Sequence, residues 1–201
     1  MANANRPTGL SPVQSITGAP YNGGGRIYSI AASYSAAALY VGDPVISSGT
    51  ADATGIAGIV LAAATGPIRG VIVGIGRNKE SLANPSNLDI TYRPAAAQSD
   101  TWYALVVDDP NTIFEVQEHA NGTALSATEV GLNQVLYLGA GNGFVSVWQL
   151  ASATDATPNT TSTLQVRLLG LAQRQDNAFG ANAKWLVKIN AHELSAGTAG
   201  L

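Results

Sequence analysis

The two histidines are the residues of this chain best suited to catalysis, and each has a carboxylate beside it. His119 follows Glu118 and stands four residues after Glu115, while His192 precedes Glu193. Were the segments carrying them adjacent, two imidazoles and two carboxylates would form a zinc or hard-metal site. No spacing in the sequence brings them together, and both fall where an apolar run passes into a polar one. A solvated position is the simpler expectation. Asp108-Asp109-Pro110-Asn111-Thr112 resembles half of a calcium loop but lacks the regular oxygen-ligand spacing of an EF-hand. It reads instead as a turn, because Asp and Asn cap backbone amides and Pro presets φ. Gly139-Ala-Gly-Asn-Gly143 and Gly74-Ile-Gly-Arg-Asn-Lys79 contain neither the dinucleotide fingerprint nor the Gly-Lys-Ser/Thr that cradles phosphate. No Gly-x-Ser-x-Gly elbow occurs. The expectation is no enzyme, with no catalytic residue, no cofactor and no metal.

Composition points the same way. Of 201 residues, 11% are charged and 46% hydrophobic, where ~25% charged is usual for a soluble domain. Sparse charge beside so much apolar surface implies that part of the exterior faces protein rather than water. The chain has no cysteine, which excludes disulfides and thiolate chemistry. Its net charge is −3, with ten Lys and Arg scattered rather than gathered into a basic stripe, so no nucleic-acid partner is expected. No run approaches the ~20 apolar residues that span a bilayer. The longest, Ile56 to Ile75, is broken by Gly58, Gly66-Pro67 and Arg69. The N-terminus lacks the apolar centre of a secretory signal. No membrane partner is expected.

Short apolar and β-branched runs between Gly, Pro, Asn and Asp predict an all-β fold, a barrel or a sandwich of about ten mostly antiparallel strands. Strands are predicted near residues 26–30, 40–47, 55–62, 68–74, 88–92, 103–108, 112–118, 133–138, 143–150, 164–172 and 184–190. In Leu164-Gln-Val-Arg-Leu168 the alternation puts Leu164, Val166 and Leu168 inward and Gln165 and Arg167 outward. In 185–189, Trp185, Val187 and Ile189 face the core and Lys188 faces out. Asn142-Gly143 predicts a type I′ hairpin between 135–138 and 144–148. Residues 28–40 are Ala-rich enough to allow a short helix.

Residues 1–25 form no core of their own. Pro7, Pro12, Pro20 and Asn22-Gly-Gly-Gly25 surround isolated Leu10, Val13 and Ile16. Two readings remain: a disordered terminus, or an extended arm gripping a neighbour, with a reach on the order of 80 Å. The domain organisation expected is an arm over 1–25 and a β-rich domain over 26–201, divisible near 77–100.

The stretches Ala2 to Val13, Val106 to Gln117, Arg167 to Asn177 and Lys184 to His192 resemble small structural proteins of tailed bacteriophages, the head decoration or cement proteins. The resemblance implies a β-rich knob on the outer surface of the virion capsid, trimeric or dimeric. It would bridge neighbouring major capsid proteins against genome pressure. It also gives the arm a role, with Arg6 pairing a carboxylate, Pro7 and Pro12 holding the chain extended, and Leu10 and Val13 as contacts. Deleting residues 2–16 is then expected to abolish capsid binding and leave a folded domain. The alternative is a carbohydrate- or cell-surface-binding β-domain of a fibre or spike, using aromatics such as Trp102 and Tyr103.

Overall fold

The structure, a computed structural model, describes residues 3–83, 90–141, 143–197 and 200. The fold is all-β. Five strands close a small barrel in the order β2 (Arg26–Ile30), β5 (Ala57–Leu61), β4 (Pro44–Ala51), β6 (Gly70–Gly76) and β8 (Trp102–Val107). A five-stranded sheet has the order β1 (Ser11–Ser15), β9 (Thr112–Gln117), β14 (Lys184–Ile189), β13 (Val166–Leu171) and β10 (Asn133–Gln134). Two short pairs complete it, β3 (Leu39–Tyr40) with β7 (Tyr92–Arg93), and β11 (Leu136–Leu138) with β12 (Trp148–Leu150). Every ladder is antiparallel except β2 with β5. Helical structure among the described residues is limited to α1 (Lys79–Ala83) and one 3₁₀ turn at Ala127–Glu129. No helix forms over 28–40, where β2, turns and β3 follow one another.

Two cores hold these layers. Tyr28, Ile30, Val45, Ile59, Ile72 and Trp102 fill the barrel. The second core draws Ala62, Ile68, Val71 and Val107 from the barrel side and Phe114, Trp148, Val166, Trp185 and Val187 from the sheet side. The barrel and sheet therefore share one interior. The alternation in β14 follows the expectation, with Trp185, Val187 and Ile189 buried and Lys188 outward.

Four predictions need correcting. The strand expected over 40–47 is broken at Gly42, whose φ of 96° suits glycine. There the Asp43 carboxylate accepts the Tyr40 amide at 2.8 Å, and the chain turns before β4. The strand expected over 133–138 divides into β10 and β11 because glutamine amides replace ladder bonds. Gln165, expected outward, is fully buried: its Oε1 accepts the Leu136 amide at 2.9 Å and its Nε2 donates to the Ala63 carbonyl at 3.0 Å. A buried polar side chain can sit in a core when its hydrogen bonds are made. The tight hairpin expected at Asn142-Gly143 gives way to a long connection, residues 139–147, between the paired β11 and β12. Asn142 itself lies outside the described residues, as do 84–89, where the predicted strand 88–92 begins.

The N-terminal segment is extended, as expected, but over its described residues it belongs to this chain's own fold. β1 pairs with β9, with Pro12 opposite Phe114 on an edge that tolerates a missing donor. Leu10 is 1% exposed and packs in the shared core, and its amide donates to the Gly42 carbonyl at 2.9 Å. Periodicity missed this strand because most of its stabilisation comes from β9, a hundred residues away. Truncating Leu10 should leave a cavity, so Leu10→Ala is expected to cost about 3 kcal/mol in urea denaturation. A loss below about 0.5 kcal/mol would mean that the segment is not part of the core.

Candidate functional site

An apolar groove of about 430 Å³ lies where the N-terminal segment, the turn after β3 and the 139–147 connection meet. Leu10, Pro12, Tyr40, Val41, Ile72, Val73, Phe144 and Val145 supply its apolar lining, Thr8, Ser11 and Thr91 its hydroxyls, and no lining residue is charged. Phe144 is 74% exposed, and Val41 and Val145 are exposed beside it. A cluster of large apolar side chains at the rim of a groove marks an interaction surface more than scattered ones would.

Close backbone contacts and one buried acid hold this surface. A Cβ on Gly9 would collide with the Gly42 carbonyl and the Ser146 hydroxyl, and one on Gly42 with the Thr8 carbonyl. The three segments can meet this closely only with glycine at both places. Beneath them Asp43, 2% exposed, accepts from the Tyr40 amide and the Ser146 hydroxyl. Burial pushes its carboxyl up to about 6 against those two bonds.

Polar contacts continue the segment's attachment. The Arg6 amide donates to Gln117 Oε1 at 2.7 Å, and Lys184 Nζ donates to the Arg6 carbonyl at 2.9 Å. Asn3 bonds the Ala178 and Ala181 carbonyls. Of the five residues singled out from the sequence, Arg6 has an exposed side chain, Pro7 and Val13 are half-buried, and Pro12 borders the groove. Leu10 lines the groove floor from within the core. Phe144, Val145 and Val41 were not singled out. Phe144-Val-Ser-Val-Trp148 is an apolar run that reads as part of the strand expected over 143–150; the strand begins only at Trp148, so nothing local marks Phe144 as a rim residue.

The other candidate residues go to separate places. His119 stacks on Tyr137 with ring centroids 3.9 Å apart, and its Nδ1 meets Asp155 Oδ2 at 2.8 Å. Burial alone would raise the Asp155 carboxyl, but bonds from Asn121, His119 and Ser152 bring it down to about 2. His192 is buried between Ile68 and Ser195, its Nδ1 accepting the Leu194 amide at 3.0 Å. No three His, Asp or Glu gather as a metal-ion set among the described residues. Glu118 is fully buried, receiving the Leu125 amide and the Trp185 indole. Desolvation pushes it up to about 6 despite both bonds. Trp102 is 5% exposed with the Arg77 guanidinium over its ring, and the Tyr103 hydroxyl donates to Asp52 at 2.8 Å. Neither aromatic forms an open platform. Asp109 accepts the Asn111 amide at 2.9 Å, the turn expected there.

No protein-family model, curated protein or solved structure matches this chain.

The buried acids carry a pH signature. An unfolded Asp43 releases its proton near 3.8, whereas the folded one keeps it to about 6. The folded state is therefore favoured at low pH, and that advantage fades as pH rises through 6. Between pH 4.5 and 7.5 the loss from Asp43 is about 2 kcal/mol; Glu118 acts in the same direction. In Asp43→Asn, stability measured by urea denaturation should depend less on pH by about that amount. An unchanged pH dependence would show that the carboxyl is not held neutral by burial.

Proposed function

We propose that this chain is a structural virion protein that decorates and cements the outer surface of a bacteriophage capsid, bridging neighbouring major capsid proteins as a homotrimer or dimer. The observation that carries this reading is the uncharged groove with Phe144 at its rim, lined in part by Leu10 and Pro12 of the segment that resembles cement proteins. Such a surface suits an apolar element of another protein: it desolvates easily and offers no charge to strand in an interface. Dispersed, modest contacts suffice for a cement protein, because many copies act together on one lattice.

The electrostatics support the same reading. An acidic chain with net charge −3 has no attraction to packaged DNA and fits the outside of a shell. Its reactive side chains are occupied as structural pins: His119 on Asp155, Glu118 on Trp185, Asp43 under the groove. The function proposed is accordingly non-enzymatic. The N-terminal segment contributes through the groove wall that it builds rather than as a free arm.

Phe144→Asp tests this, because the side chain is exposed and its loss should leave stability within about 0.5 kcal/mol. Binding to purified capsids lacking this chain should weaken at least about tenfold, on the order of a single central contact. Undiminished occupancy by a folded Phe144→Asp protein would remove the groove from the docking surface.

A further inference from the structure

A second cavity, about 570 Å³, opens at the other end of β1, between the 14–26 hairpin and the corner joining β8 to β9. Its chemistry differs from that of the groove. Gln14, Asn22, Arg26 and Asp109 bring planar polar groups to its wall, while Tyr21 and Leu194 bring apolar surface. The volume is in the ordinary range for a small-molecule site.

The lining narrows the class of ligand. Asp108 also borders the cavity, but its Oδ2 is already occupied by the Tyr28 hydroxyl at 2.7 Å, Arg26 Nε at 3.7 Å and Arg69 Nε at 3.9 Å. With Arg26 at the mouth and this carboxylate engaged, a bare cation finds no ready ligand set. Two carboxylates in the wall repel an anion, and the polar groups would be stranded by a lipid. What remains is a neutral molecule with many hydroxyls and a C–H face. Amide, carboxylate and guanidinium groups each offer two hydrogen-bonding atoms in one plane, a match for adjacent hydroxyls. Tyr21 and Leu194 can cover the C–H face.

The wall is also set before any ligand arrives. The Tyr21 amide donates to the Val13 carbonyl at 3.0 Å and its hydroxyl to the Gly24 carbonyl at 2.9 Å. The Ile16 amide donates to the Asn111 carbonyl at 2.8 Å, tying one wall to the other, and Asp109 is held by the Asn111 amide. The backbone of both walls is thus fixed, while the exposed Asn22 and Arg26 side chains can adjust to a ligand at some cost in ordering. We infer that this cavity is a saccharide site for a neutral mono- or disaccharide. The inference goes beyond capsid decoration and does not depend on it.

The experiment uses the full chain. It is screened against neutral mono- and disaccharides of glucose, galactose, mannose and N-acetylglucosamine, and the strongest is titrated by calorimetry or NMR. Arg26→Ala and Asn22→Ala are suitable variants: the Arg26 side chain is 70% exposed, and Asp108 keeps Tyr28 and Arg69. Each should weaken saccharide binding at least about tenfold, with little change in Tm. Phe144→Asp should leave it unchanged, which separates failure of this site from failure of the capsid surface. The inference is overturned if none of these sugars binds with a Kd below about 10 mM, or if a bound sugar is indifferent to both variants.

Discussion

The buried Asp108 carboxylate is the point through which the barrel and the sheet become one body. It closes β8, the last barrel strand, and the next turn begins β9 in the sheet. One oxygen takes the Tyr28 hydroxyl from β2 and lies near Arg26 and Arg69. Arg69 in turn donates to Tyr28 at 2.9 Å and lies 3.7 Å from Glu193, which receives the Ser47 amide and hydroxyl from β4. A single network thus spans two barrel strands, the residue that enters β6, the corner and the turn after β14. A buried charge is tolerated when it is paired and hydrogen-bonded, and removing one partner is far costlier than the pair is stabilising. The shared core around Val71, Val107 and Phe114 packs where this network fixes the seam.

The scarcity of charge acquires meaning from this arrangement. The chain has only 23 residues of Lys, Arg, Asp and Glu, ten basic and thirteen acidic. Several are withdrawn from the surface altogether: Asp43, Arg93, Asp108 and Glu118 are buried. Arg93 donates to the carbonyls of Pro94, Ala31 and Ala32, and so acts as a backbone brace. A chain that places charges inside its seams leaves long stretches of exterior without them. The groove beside Phe144 is one such stretch, and a partner protein can cover it without desolvating an ion. The same residues that could have done chemistry are the ones that hold the scaffold.

Much of the scaffold could be read in the sequence because local patterns agreed with the fold. β14 shows it well, since the alternation in Lys184–Ile189 matches what is buried; β2 falls where it is expected, but Tyr28, Ser29 and Ile30 are all buried and Ile27 is exposed. Other features depend on partners far along the chain and leave no local trace. β1 has a proline and few apolar residues, and is a strand only because β9 lies beside it. Gln165 looks like an outward residue until the break between β10 and β11 supplies an amide for its oxygen. Asp108 reads as turn chemistry, which is true of Asp109, while its own ties to Tyr28 and Arg69 are tertiary. In the groove, Leu10 and Pro12 stood out as isolated apolar and proline residues. Phe144 did not, since its apolar run reads as strand where the chain forms a loop before Trp148.

A fold stabilised from within leaves an uncharged groove on the exterior, and the role proposed for it is to be covered by neighbours on a viral shell. Quantitative mass spectrometry of purified virions measures this directly, as the ratio of this chain to the major shell protein. A decorating chain docked through the apolar groove is expected at a fixed stoichiometry near a simple fraction, as set by repeated lattice positions, and unchanged by washing in high salt. A virion free of the chain, or one holding a variable trace that salt removes, would contradict it.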